Sequence, residues 1–302
     1  MKLEVQKIKK SFGKKEVLKG ISFSVESGQA LGLLGRNGAG KTTTIRILMN
    51  VFPMDEGSVC IDGKDISECN IKIGYLPEER GLYPKKTIRD QLLYFAQLKG
   101  LRKKEGMVAI EKWLKRLEME EYLDKKLETL SKGNQQKIQL ITALLCDPDL
   151  IILDEPFSGL DPVNAQLLKD VVKEEIASGK LVIFSSHQMN YIEEFCDQIA
   201  ILNQGEIAVQ GSLKEIRHSY RRDKLVVRSE KADRIAQEYA NRCKVNPKDS
   251  NELVLFLEDE TKKNAVMCHL TQKYEIDELR IYEPTLNDIF VEHTKDMEGE
   301  EA

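Results

Sequence analysis

Residues 2–7 and 21–25 alternate apolar and polar positions, the period of half-buried antiparallel strands. Elsewhere the pattern changes. Ala30-Leu31-Gly32-Leu33-Leu34, Leu150–Leu153 and Leu181–Phe184 are unbroken apolar runs, as in strands buried on both faces. Ser58–Ile61, Ile73–Leu76, 198–202 and 206–210 add further short strands. Apolar residues return at helical spacing over Thr43–Asn50, Gln135–Leu145, 163–178 and 190–196. Thr87 with Asp90 forms a capping-box signal for a helix through Leu98, and Glu105–Leu117 places Ile110, Leu114 and Leu117 on one face. Residues 85–128 therefore predict an α-helical insert, within a helical subdomain of about 85–145. Strands alternating with helices predict an α/β sheet preceded by an antiparallel β subdomain.

A polar break at Tyr220–Lys224 predicts a domain boundary, giving a first domain over 1–220 and an accessory domain over 221–295. Past it, strands at 225–229, 253–257 and 277–282 alternate with helices at 232–241, 262–273 and 285–293, enough for a small α+β domain. Leu225–Val227 and Leu253–Phe256 predict a small sheet with one face free to pair. It carries no phosphate loop. Residues 296–302 read as an acidic, disordered tail.

Charge narrows the function classes. The chain has 302 residues and a net charge of −4. From Arg221 onward it carries 14 basic and 19 acidic residues, −5 against +1 for what precedes. Nothing in this balance pulls the chain as a whole towards nucleic acid, the C-terminal part least of all. The six cysteines lack metal-ligand spacing, no apolar signal core opens the chain, and no apolar run spans a bilayer. Reduced thiols in the cytosol are expected, and any membrane work requires another chain to do the spanning.

Between the strand at 30–34 and the helix at 43–50 lies Gly35-Arg36-Asn37-Gly38-Ala39-Gly40-Lys41-Thr42, which fits G-x-x-x-x-G-K-[ST] at every defined position. Glycines let successive N–H groups turn toward phosphate oxygens, and the helix dipole adds positive potential there. Lys41 is expected at the β- and γ-phosphates and the Thr42 hydroxyl at Mg²⁺. The run Leu150–Leu153 ends in Asp154-Glu155. An aspartate at a strand end holds Mg²⁺, and the next carboxylate acts as general base on water. His187, after the next buried strand, is placed to touch a γ-phosphate. Local sequence favours Phe12 as a core residue over a platform for a base.

In this order and spacing, residues 1–217 resemble the nucleotide-binding subunit of an ABC transporter. That family implies a phosphate-loop NTPase core, the ABC ATPase fold. It implies that Phe12 stacks on adenine, with Val17 and Gly35, Arg36, Asn37, Gly38, Ala39, Gly40, Lys41, Thr42 and Thr43 binding ATP. Leu150–Asp154 matches the Walker B strand, Glu155 the catalytic glutamate and His187 the switch histidine. Ser158-Gly159-Leu160-Asp161 matches the D-loop. Leu130-Ser131-Lys132-Gly133-Asn134 matches the signature, usually Leu-Ser-Gly-Gly-Gln, which completes the opposing protomer's ATP site from a helix N-terminus. Lys132 and Asn134 depart from that pattern. Glu78 departs too, standing where a glutamine normally meets Mg²⁺ and the membrane subunit. The implied cofactors are ATP and Mg²⁺, the metal held by Thr42, Glu78 and Asp154. The implied partners are a membrane-spanning permease and a second ATPase subunit, identical or paralogous, on the cytosolic face of the membrane.

Glu78–Pro84 resembles the ATPases of bacterial ABC-2-type exporters of sodium or drugs. Glu283–Phe290 resembles the end of their accessory domain. A soluble, non-transport ABC ATPase is the competing class. Those usually carry two cassettes, long coiled coils or basic arms, whereas this sequence has one cassette and none of the rest.

Overall fold

The computed structural model describes residues 1–79, 81–241, 243–245 and 250–294. Arg80 and the expected acidic tail lie outside the described residues. The chain divides into two compact units: Met1–Leu213 with Phe290–Ala302, and Lys214–Ile289.

The first unit holds two sheets. β1 (Lys2–Phe12), β2 (Lys15–Glu26), β4 (Glu56–Ile61) and β5 (Lys64–Asp65) form an antiparallel sheet in the order β2-β1-β4-β5. The second sheet runs β10-β9-β3-β8-β7-β6, from β3 (Ala30–Gly35), β6 (Ile73–Leu76), β7 (Leu150–Asp154), β8 (Leu181–Ser185), β9 (Gln198–Asn203) and β10 (Glu206–Ser212). Its pairs are parallel except β9–β10. All five residues of β7 and of β8 are buried, which explains their unbroken apolar runs. Leu3, Val5, Leu18 and Phe23 of the antiparallel sheet share one core with Leu31, Leu33, Ile152 and Ile183 of the other.

Between β3 and β4 runs α1 (Lys41–Leu48). The insert between β6 and β7 contains α2 (Ile88–Leu98), α3 (Lys103–Arg116) and α4 (Lys132–Leu144). Thr87 caps α2 as its sequence predicts, accepting from Asp90 N at 3.1 Å. The helix expected to begin at Gln135 begins instead at Lys132, because Ser131 takes the N-cap position and accepts from Asn134 N at 3.2 Å. After β7 come α5 (Pro162–Ala177), then α6 (Met189–Phe195) beyond β8, and α7 (Leu213–Ser219) after β10. Among the described residues no helix is long and apolar enough to cross a membrane.

The second unit is an antiparallel sheet in the order β12-β13-β11-β14, from β11 (Lys224–Arg228), β12 (Cys243–Val245), β13 (Glu252–Phe256) and β14 (Glu278–Ile281). Leu225, Val227, Leu253 and Leu255 pack with Ile235 of α8 (Ala232–Glu238) and Leu270 of α9 (Lys263–Lys273). Val226 points to the other face and is also buried, so that face is covered at its centre rather than free to pair. The last helix, α10 (Leu286–Thr294), starts in the second unit, and its residues from Phe290 on cluster with the first.

Candidate functional site

The loop from Gly35 to Gly40 leaves β3 and delivers the chain into α1. Gly40 is the N-cap of α1, in the left-handed region at φ 114°. A Cβ there would meet Leu18 Cδ2 at 2.6 Å and the Val17 carbonyl oxygen at 3.3 Å, so only glycine fits. No side chain caps α1 and its first turn has no acid, which leaves its N-terminus suited to an anion. Lys41 Nζ donates to the carbonyls of Gly35 at 2.6 Å and Arg36 at 3.3 Å, folding the cation over the loop.

The opposite wall comes from the parallel register of β7 and β8. Asp154 pairs with Ser185, so the residues that follow each strand emerge side by side. Glu155 sits in the left-handed region at φ 51°, uncommon for a residue with a Cβ. Its N–H donates to the Ser185 carbonyl at 2.8 Å. Its carboxylate accepts from Ser186 Oγ at 3.0 Å and from His187 N at 2.7 Å, and His187 Nδ1 lies 2.6 Å from Oε1. Strain of this kind persists where surrounding bonds over-determine it, and here they aim a buried carboxylate into the cleft. The His187 side chain is 74% exposed, turned to solvent with one nitrogen on Glu155.

Gly35–Gly38, Gly40, Lys41, Thr42 and Thr43 line one side of this cleft, and Glu78, Asp154, Glu155 and His187 the other, and Phe290 lines it too. Its size, about 950 Å³, suits a nucleoside triphosphate. Burial lowers the Lys41 pKa, against the pull of Asp154, Glu155 and Glu78. Burial raises the Asp154 pKa, and the Glu78 and Glu155 charges add to it. Tyr75, on the neighbouring strand, is pushed up to about 12 by burial and then by Asp154. Carboxylates crowded in this way favour a bound cation. Among the described residues no three His, Cys, Asp or Glu side chains form a metal cage. A Mg²⁺ carried by nucleotide phosphates needs only one or two protein oxygens, so the donor set of Thr42, Asp154 and Glu78 fits it.

The remaining expected residues lie apart from the cleft lining. Ala39 is buried beneath the loop, and the Val17 carbonyl backs Gly40. Phe12 is 45% exposed, its ring edge-on to Phe52 with centroids 5.5 Å apart, which excludes the core role. Leu130 precedes α4, Ser131 caps it and Lys132–Asn134 begin it, while Asp161 caps α5 by accepting from Val163 N and Asn164 N. Signature and D-loop adjoin: a Cβ on Gly133 would meet Asn164 Nδ2 at 3.1 Å and Leu160 Cδ2 at 3.6 Å.

Sequence reasoning missed three supports. Gln139, 3% exposed, donates through Nε2 to the carbonyls of Pro77 at 2.8 Å and Glu79 at 3.2 Å, fixing the segment around Glu78. Gln136 Nε2 donates to the Pro156 carbonyl at 3.0 Å, and Ser186 steadies Glu155. The signal for the two glutamines was a run of amides on a helix that reads otherwise as buried.

A family described as ABC transporter matches residues 18–158, and one described as the C-terminal domain of DrrA1-3-like ATP-binding proteins matches residues 211–294. The chain is 42% identical over 291 residues to an uncharacterized ABC transporter ATP-binding protein, YhaQ, of Bacillus subtilis, covering 96% of this chain and 97% of that protein. It is 37% identical over 218 residues to the linearmycin resistance ATP-binding protein LnrL of the same species, covering 71% and 70%. A solved structure of the ATP-binding subunit of an ABC transporter aligns with a TM-score of 0.66 at 31% identity, covering 72% of this chain and 92% of that one. The chain belongs to the ABC transporter ATP-binding proteins, with a DrrA-like C-terminal domain, and is an ATPase.

Proposed function

We propose that this chain binds and hydrolyses ATP to power a separate membrane-spanning permease that exports its substrate. Two ATPase subunits close on each other around ATP to do so. One observation carries the reading. The cleft gathers the phosphate loop, Asp154, Glu155 and His187, whereas Ser131–Asn134 lie outside its lining. A signature that does not line its own cleft serves a second copy.

Within one site, Lys41 and the first N–H groups of α1 hold the β- and γ-phosphates. Thr42, Asp154 and Glu78 would hold Mg²⁺, which would neutralise phosphate charge. Phe12 offers an exposed ring on which adenine stacks. Glu155 accepts a proton from the attacking water, a role that suits a carboxylate held by three donors and open to the cleft. His187 leaves Glu155 to meet the γ-phosphate when the second copy closes. Export is supported by the relative named for linearmycin resistance. The test is the Glu155→Gln chain at saturating ATP on gel filtration. Elution as a dimer is the expected outcome, and elution as a monomer at every ATP concentration would remove the closure step.

A further inference from the structure

Phe290 stands some 250 residues beyond the phosphate loop in sequence yet lines the same cleft. One contact ties its helix to β9, and a second, inside the helix, fixes its last turn. Asn203 Nδ2 donates to the His293 carbonyl at 3.1 Å, and Thr294, 1% exposed, donates from Oγ1 to the Phe290 carbonyl at 2.7 Å. Asn203 ends β9, whose Leu202 pairs with Gly35, so this anchor lies one residue beyond the strand position beside the loop. The neighbouring apolar residue, Val291, is 41% exposed. The helix thus presents one ring to the cleft, and that ring is half-buried.

The other lining residues are glycines or polar and charged side chains. A phenyl ring among them cannot ligate Mg²⁺ or move a proton. Its edge carries partial positive charge, which suits an anionic neighbour, and its bulk excludes water. We propose that Phe290 is a nucleotide-positioning residue: its ring closes the loop end of the cleft and packs against bound triphosphate. Nucleotide binding and the seating of residues 290–294 are then coupled, each favouring the other by the same factor.

The test uses the full chain and a non-hydrolysable ATP analogue. In the unmutated chain the analogue slows amide exchange across 290–294 by at least about threefold. Phe290→Ala weakens analogue binding and raises KM for ATP by about three- to tenfold, with kcat changed by less than about twofold. Phe290→Leu, which keeps an apolar wall, recovers most of that loss. Unchanged exchange together with unchanged affinity would make the ring merely structural. Faster exchange on binding would mean that nucleotide displaces it. Either result overturns the proposal, and the exchange measurement does not depend on how the variants fold. The inference rests on the ATP-site reading, so affinity of the unmutated chain is measured first. No binding sinks both, whereas binding without protection of 290–294 sinks this one alone.

Discussion

Two helix N-termini in the first unit look alike in sequence and differ in structure. A glycine loop leads into α1 and a glycine sits in the first turn of α4, and neither helix has an acid in its first turn. By contrast α2 carries Asp90 there and α3 carries Glu105. An acid would satisfy the free N–H groups and repel a phosphate, so its absence leaves both termini compatible with an anion from outside. At α1 nothing caps the turn, and the glycine loop and Lys41 surround it. At α4 Ser131 already occupies one donor, and Lys132 supplies a positive charge. The first is a cradle built to enclose phosphate. The second is a capped, exposed tip outside the cleft lining. On the proposed reading it serves the phosphate of a second copy, and one chain carries two halves of a site.

The largest effect expected is on chemistry. Glu155→Gln keeps size and the donors from Ser186 and His187 but loses the base, and hydrolysis falls by about 10² to 10⁴ while ATP binding persists. Single-turnover hydrolysis measured beside ATP affinity separates the two. A normal rate would move the base elsewhere. Next comes the cradle. Lys41→Ala weakens ATP binding by at least about tenfold, or about 1.4 kcal/mol, in a chain that retains its thermal transition. Unchanged affinity by calorimetry would remove the phosphate assignment of α1.

Glu78 sharpens the account of the acidic wall. Glu78→Gln changes the Mg²⁺ concentration giving half-maximal ATPase by less than about threefold, because Thr42 and Asp154 remain. Complete loss of ATPase would make Glu78 indispensable. The smallest effect lies in the second unit, at one ion-paired carboxylate. Glu238 accepts from His269 and Lys273, both at 2.9 Å, and from the Tyr274 hydroxyl. These bonds, Tyr274's first, lower its pKa to about 2. A carboxylate depressed in the folded state stabilises above its unfolded pKa, about 4.3, and that stability drains away as pH falls toward 2. The group is exposed, so Glu238→Gln costs only about 0.5 kcal/mol at neutral pH. Chemical denaturation should show the gap closing below pH 4, and a gap that grows there would contradict the assignment.

What the chain disclosed in advance follows contact range. Buried strands showed as apolar runs, and the phosphate loop, Asp154-Glu155 and the signature stood as contiguous motifs. The helix expected from Thr43 starts at Lys41 because Gly40 takes the left-handed cap, a backbone state that no side-chain period encodes. Strand β12 went unseen because its three residues are too short a run to show a period and are placed in the sheet by pairing with β13. Glu155 and His187 meet through the β7–β8 register, for which the sequence offered order but no distance. Phe290 left no local trace at all, since a phenylalanine on an amphipathic terminal helix looks like any core residue.

Complementation between two defective chains tests the divided site most directly. Lys41→Ala disables the cradle. Ser131→Asp keeps a good N-cap residue but sets a carboxylate where the opposing phosphate must arrive. Each variant alone is inactive. When equal amounts are mixed, half the pairs are mixed pairs by random association, and each of these has one site with an intact cradle and an intact signature. ATPase then returns to about one quarter of the unmutated level. A mixture no more active than its components would contradict the account and place the whole site within a single chain.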